Sequence, residues 1–253
     1  MMNKSTDTIS SLAKGLRVIE CFGAETPKLS ISDVSAKTGL DRATSRRCLL
    51  TLHKEGYADY EGKFFTLTHR ALRLGMGAIA SLQLPEIVQP WLDQLTEQIG
   101  QSCSVAILDG TEIVYLARAA QRRVMSIGLM PGSRLPAHST SMGRILLGAQ
   151  PIEKARGIVE ASDLSPRTSF SLTDPDEILE RIELGRDLGY AVVDQEVEIG
   201  LRSIAVPVLN VRGAVVAALN TGMAATHRDA TVMVDAYLPA LLKVQAGIAR
   251  VLT

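Results

Sequence analysis

Three arginines within six positions, Arg42, Arg46 and Arg47 in the run DRATSRRCLLTLHK, are the residues whose type and spacing suggest chemistry most directly. Guanidinium groups bond phosphates and fork onto guanine in the major groove of duplex DNA. On a helix beginning at Arg42, the residues Ser45, Cys48, Leu49, Leu52 and Gly56 form a stripe at helical spacing that packs inward. Arg42, Ala43, Arg46, Arg47, His53 and Lys54 fall on the opposite side. Thr44, and Ser32 on a preceding helix, offer hydroxyls for phosphate contact, while small Ala43 permits close approach to a thymine methyl. Lys63, at the tip of a glycine turn between Gly62 and Phe64, is placed to reach a neighbouring phosphate. The competing reading is a solvated, arginine-rich face with no partner, and the surrounding elements decide between the two.

Those elements follow a recognisable order. Leu12, Leu16, Ile19 and Cys21 or Phe22 recur at helical spacing, with Ser11 as N-cap, and the segment GAETPKLSIS breaks the pattern. A second helix runs over 31–37, with Ser32 and Asp33 at its start, and Gly39 ends it. Asp41 caps a third helix over 42–55, and Gly56 terminates that one. YADY and KFFTL then flank Glu61-Gly62-Lys63 as a hairpin. Three helices, a tight glycine turn between the second and third, and a hairpin describe a winged helix-turn-helix over residues 9–68.

Residues 69–84 read as a linker helix, with Leu72, Met76 and Ile79 on one stripe and Gly75 and Gly77 weakening it. Residues 85–253 form the second domain. It opens with a helix carrying Pro90, followed by SVAILDG and TEIVYLARA around an Asp109-Gly110 turn. VMSIGL is a further strand, STSMGRILLGA a helix and DPDEILERIELGRDLG an acidic helical region. The strands YAVVD, LRSIAVPVLN and GAVVAALNT follow, the last two meeting at Val211-Arg212-Gly213, and a helix closes the chain. The fold class expected is α+β: a winged helix, a linker and a mainly antiparallel sheet flanked by helices.

With 253 residues, 46% of them hydrophobic, the chain is long enough for two cored domains. No apolar run approaches the ~18 residues that span a bilayer, and the polar N-terminus lacks a secretory pattern. Cys21, Cys48 and Cys103 are unpatterned, which fits a reducing compartment and a cytoplasmic location. The zero net charge hides an asymmetry: residues 1–75 carry 12 Lys and Arg against 8 Asp and Glu, and the remainder 15 against 19. A polyanion met by the first domain alone would explain it.

Read with its particular residues, this order resembles the IclR family of bacterial transcriptional regulators. The matching pieces are SLAKGLRVIECF, LSISDVSAKTGLDRATSRRCLLTLHKEGY, LPAHSTSMGRILL and DQEVEIGLRSIAVPV, spanning the chain from about Ser10 to Leu252. DGTEIVYLARAAQRRVMS, TSMGRILL and VVAALNT resemble the branch governing aromatic-acid breakdown through the β-ketoadipate pathway, which answers to protocatechuate or 4-hydroxybenzoate. The resemblance implies a homodimer on operator DNA, often paired into a tetramer, and a GAF-like second domain that binds a small organic acid.

By the same resemblance, the pocket is lined by Ser141 and Met142 at a helix start, by Asp194, Glu196 and Ser203, and by Asn220 and Thr221. Ser203 stands where many family members carry cysteine, and Ser141 and Met142 where they carry glycine or alanine. That leaves open whether the acid is aromatic or a non-aromatic carboxylate. Arg134 and Arg202 are alternative counter-charges, each equally able to form an internal ion pair. Met125, Met130 and Met142 divide between core and pocket wall, and His138 reads as structural. A hydrolase using His138, Ser139, Ser141 and Asp194 lacks a G-x-S-x-G elbow, and neither a phosphate loop nor a zinc spacing is present. No catalytic residue, metal or cofactor is therefore expected. A DNA-packaging protein would have no use for the large acidic second domain.

Overall fold

In the computed structural model, residues 8–23, 26–71, 73–74, 84–121, 128–225 and 231–252 are described. The chain divides into two compact units, residues 1–82 and 83–253. The expected linker helix falls largely on residues outside the described ones, and so does most of VMSIGL.

In the first unit, local capping sets every helix boundary that carries the site. Helix α1 spans Ser10–Glu20, its start two residues earlier than expected: Ile9 rather than Ser11 occupies the cap position, without a side-chain bond. Strand β1, Lys28–Ser30, lies inside the segment read as a break, and it pairs antiparallel with β3. Ser30 heads α2 (Ile31–Thr38) with a reciprocal capping box: the Asp33 carboxylate accepts from the Ser30 amide at 2.8 Å, and Ser30 Oγ accepts from the Asp33 amide at 3.3 Å. Gly39, at φ 68°, turns the chain out of α2 in the left-handed conformation that glycine adopts without strain.

Helix α3 spans Arg42–Lys54 and is capped by Asp41, whose carboxylate accepts from the Thr44 amide at 2.8 Å. Strands β2 (Ala58–Glu61) and β3 (Phe64–Leu67) make the hairpin, and Gly62 at its tip has φ 68°. The sheet order is β1-β3-β2. Val18, Leu29, Val34, Leu49, Leu52, Ala58 and Phe65 form the core that all these elements share.

The second unit is built on a six-stranded antiparallel sheet of order β6-β5-β4-β9-β8-β7. Its strands are β4 (Cys103–Asp109), β5 (Glu112–Ala119), β6 (Arg134–Pro136), β7 (Ala191–Asp194), β8 (Leu201–Leu209) and β9 (Val215–Ala224). Helices α4 (Leu84–Ile99) and α8 (Thr231–Ile248) pack on one face against Val105, Ile204, Val206 and Leu219. Helices α5 (Ser141–Gly148), α6 (Ile152–Glu160) and α7 (Pro175–Leu188) share a second core with Ala106, Ala205 and Ala218 of the other face. Alternation along each strand feeds these two cores. The short strand β6 and helix α6 are additions to the order expected from sequence.

Candidate functional site

On α3 the inward stripe is Ser45, Leu49 and Leu52, and Arg42, Ala43, Arg46 and Arg47 are exposed on the other side. Ser32 at the start of α2 and Lys63 at the hairpin tip are exposed too. The Lys63 ammonium sits 5.2 Å from the centre of the Phe64 ring. Thr44 departs from expectation. It is buried, in the wall of a groove between α1 and α3 shared with Leu16, Cys48 and Thr51, and its hydroxyl accepts from Arg47 at 3.3 Å. Positions 44, 48 and 51 recur along one helix side, which turns Thr44 toward α1 rather than solvent.

The second unit holds a pocket between the start of α5 and the sheet, with an internal volume of about 40 Å³. Ser139, Thr140 and Ser141 form one wall, and Ser203 and Asn220 stand on the sheet. Ser141 Oγ lies 2.9 Å from Ser203 Oγ. Thr140 caps α5 by accepting from the Gly143 amide at 3.1 Å, while the Ser141 and Met142 amides make no hydrogen bond among the described residues. A helix start of this kind attracts an anion. Ser139 Oγ, buried in the same wall, has no partner among the described residues.

Two residues missed in the sequence complete the pocket: Tyr115 and Arg118 of β5. Three positions apart on a regular strand, they would face opposite sides. A bulge shifts the β4–β5 register between Val105 and Ala106, so that both side chains reach the same cavity. Arg118, Ser104 and Asn220 then lie side by side across β5, β4 and β9, and Arg118 donates to Ser104 Oγ at 3.0 Å. Tyr115 is 4% exposed, and burial pushes its phenol up to about 12.

Four residues expected in the pocket lie elsewhere. Met142 packs into the core beneath α5. Thr221 follows Asn220 on β9 and so faces the other side, where its hydroxyl donates to the Ser102 carbonyl at 3.1 Å. Asp194 alternates with Val193 in the same way, and Arg202 forks onto its two oxygens at 2.9 and 2.8 Å. Glu196 is turned into a buried ion pair with Arg144 at 2.7 Å. Asp194 and Glu196 instead border a separate cleft beside β7, with Arg181, Leu184 and Tyr190. Arg134 pairs with Asp109 and Glu112 at the surface.

Met130 is exposed, and Met125 lies outside the described residues. His138 is 5% exposed, and its Nδ1 has no partner among the described residues. Both Asp194 oxygens are held by Arg202, so His138 and Asp194 do not form the relay a hydrolase needs. Among the described residues no group of His, Cys, Asp and Glu could hold a metal, and no helix is long and apolar enough to cross a membrane.

An exposed cationic helix in a three-helix, hairpin-backed unit, together with a second unit that holds a small pocket of mixed lining, defines a DNA-binding regulator with an effector domain. The family model for the IclR helix-turn-helix domain matches residues 11–62, and that for the C-terminal part of bacterial IclR regulators matches residues 76–249. The chain belongs to the IclR family of transcriptional regulators and is not an enzyme.

Within the family it is similar to regulators of aromatic catabolism. It is 41% identical to the Pca regulon regulatory protein of Pseudomonas putida over 93% of this chain and 81% of that one. It is 37% identical to the p-hydroxybenzoate hydroxylase transcriptional activator of Acinetobacter baylyi over 94% and 90%. Among solved structures, the inducer-binding domain of Acinetobacter PobR, a double mutant in complex with 3-hydroxybenzoic acid, matches with a TM-score of 0.61 and 33% identity. That match covers 66% of this chain and 97% of the PobR domain.

Proposed function

We propose that this chain controls transcription of genes for aromatic-acid breakdown, changing its grip on operator DNA when a hydroxybenzoate-type acid enters the pocket of the second unit. One observation carries the reading. Arg118, Tyr115, Asn220 and the Ser141–Ser203 pair converge on a single cavity, in a domain 33% identical to one that holds 3-hydroxybenzoic acid. Arg118 supplies positive charge for the carboxylate, aided by the helix-start amides of Ser141 and Met142. The paired serines and Asn220 supply donors and acceptors for ring hydroxyls.

In this reading residues 9–68 bind DNA, 69–84 link, and 85–253 sense. Arg42, Ala43 and Arg46 meet the major groove, and Arg47, Ser32 and Lys63 meet phosphates. A single recognition helix reads few base pairs, so a homodimer on half-sites about one helical turn (~34 Å) apart is the working unit, with pairing of dimers as a further step. An engineered cavity that accepts benzene measures about 150 Å³, so a pocket of about 40 Å³ must widen to admit a ring. That movement is where differential affinity for two arrangements would arise.

The test is fluorescence anisotropy of purified protein on the DNA upstream of its own gene, with and without 4-hydroxybenzoate, 3-hydroxybenzoate, protocatechuate or adipate. The reading expects site-specific binding that one of the aromatic acids alters and adipate does not. A response to adipate alone would move the assignment to a non-aromatic carboxylate.

A further inference from the structure

Arg144 and Glu196 are 52 positions apart, yet both are buried, with side chains 3% and 8% exposed. Arg144 Nε donates to the His138 carbonyl at 3.1 Å, and its terminal nitrogen donates to Glu196 Oε2 at 2.7 Å. The first bond holds the turn that leads into Ser139–Ser141, one wall of the pocket. The second holds the loop between β7 and β8, whose Val197, with Leu201 at the start of β8, lines another part of the pocket.

That loop is anchored from outside as well. Thr168 and Ser171 donate their hydroxyls to the Gln195 and Glu196 carbonyls, both at 2.7 Å. Gln195 holds a left-handed φ of 62°, which a non-glycine residue keeps only where its surroundings over-determine it.

The pair is a poor way to gain stability. Burial is the leading influence on both partners, pushing the Glu196 carboxyl up and the Arg144 guanidinium down. Desolvation of two charges commonly outweighs their attraction, so an apolar pair of similar volume is often as stable or more so. Fixed geometry is what the ion pair provides that an apolar pair does not.

We infer that Arg144 and Glu196 are positioning residues, a clamp that sets the spacing between the Ser139–Ser141 and Val197–Leu201 walls and so sets effector affinity without touching the effector. The inference rests on the pocket reading above for its consequence, while the clamp itself can be tested without any ligand. In the double variant Arg144→Met, Glu196→Leu, melting should occur at or above the parent temperature, and operator affinity without effector should be unchanged.

Two readouts should move in that variant. Calorimetric affinity for 4-hydroxybenzoate, 3-hydroxybenzoate or protocatechuate, whichever the parent binds, should fall about tenfold or more. Amide exchange should quicken at both 138–141 and 195–200, with β4 and β9 unchanged. Unaltered exchange at the two walls overturns the clamp, and so does parent-like affinity in a variant whose walls have loosened. Should the double variant fail to fold, Glu196→Gln keeps the shape and is read by the same measurements. Should the parent bind none of the three acids, the pocket reading fails, and exchange at the two walls alone decides for or against the clamp.

Discussion

Ser141 Oγ, at the first residue of α5, lies 2.9 Å from Ser203 Oγ on β8, so a hydrogen bond inside the pocket joins the helix start to the sheet. Either oxygen can donate, which lets the pair reorient toward a phenolic hydroxyl acting as donor or acceptor. Ser203→Ala removes one partner and should weaken 4-hydroxybenzoate binding by about 1 kcal/mol, roughly fivefold. Benzoate, which has no hydroxyl to read, should bind parent and variant alike. Titration calorimetry with both acids checks this, and equal losses would show that the pair does not read the hydroxyl. Ser203→Trp fills the cavity outright and should abolish the effector response while operator binding persists.

Gly143 sits where α5 meets the turn before it, and a Cβ there would lie 2.0 Å from the Ala137 carbonyl oxygen. Backbone cannot yield to that clash as a flexible side chain could. Gly143→Ala should therefore cost more than about 3 kcal/mol, seen as a collapse of the urea midpoint together with loss of effector binding. Gly157 on α6 makes the control, since a Cβ there meets nothing within 4 Å. Gly157→Ala should stabilise by up to about 1 kcal/mol through helix propensity.

The cationic side of α3 divides by contact. Arg42, Arg46 and Arg47 are all exposed, and Arg47 in addition donates to the buried Thr44 hydroxyl. Arg46→Ala should cost about 1–3 kcal/mol on the operator if its contact is bidentate, with relaxed discrimination at one base pair. Lys63→Ala should weaken all sequences evenly and reduce the slope of affinity against salt by about 1 per protomer. Thr44→Val should leave direct DNA contacts intact, since the hydroxyl faces α1. Anisotropy titrations at several salt concentrations separate these outcomes. A full loss of operator binding in Thr44→Val would restore that hydroxyl as a contact.

What could be read in the sequence was local. Asp41, Gly39 and Gly62 act on backbone within four residues, so the winged helix and its exposed arginines follow from short-range rules. Strand β1 is three residues long and is defined by its partner Phe64–Thr66, which no local pattern announces. Period-two alternation does exclude Asn220 and Thr221 from sharing a face, and reasoning by motif overlooked that constraint. The bulge that brings Tyr115 and Arg118 together depends on register with β4, and the Arg144–Glu196 pair joins positions 52 apart. Neither leaves a trace in spacing or composition.

His138 offers a test of acid sensitivity. It is 5% exposed, just ahead of α5, and its own carbonyl is bonded by Arg144. Burial, then the charges of Arg144 and Arg167, hold its imidazole below the ordinary value of 6.5, with Asp163 opposing. The unfolded chain therefore binds the proton more readily than the folded one. Stability from this residue is present above 6.5 and is lost as pH falls through the lower, folded value. Glu196 acts in the opposite sense, because its raised carboxyl adds stability as acid protonates it. The two are separated by comparing parent with His138→Gln. Between about pH 7 and pH 5, the urea midpoint of the parent should fall more steeply than that of the variant. Parallel curves would mean that the imidazole titrates alike in both states, and that the charges around it do not govern its proton.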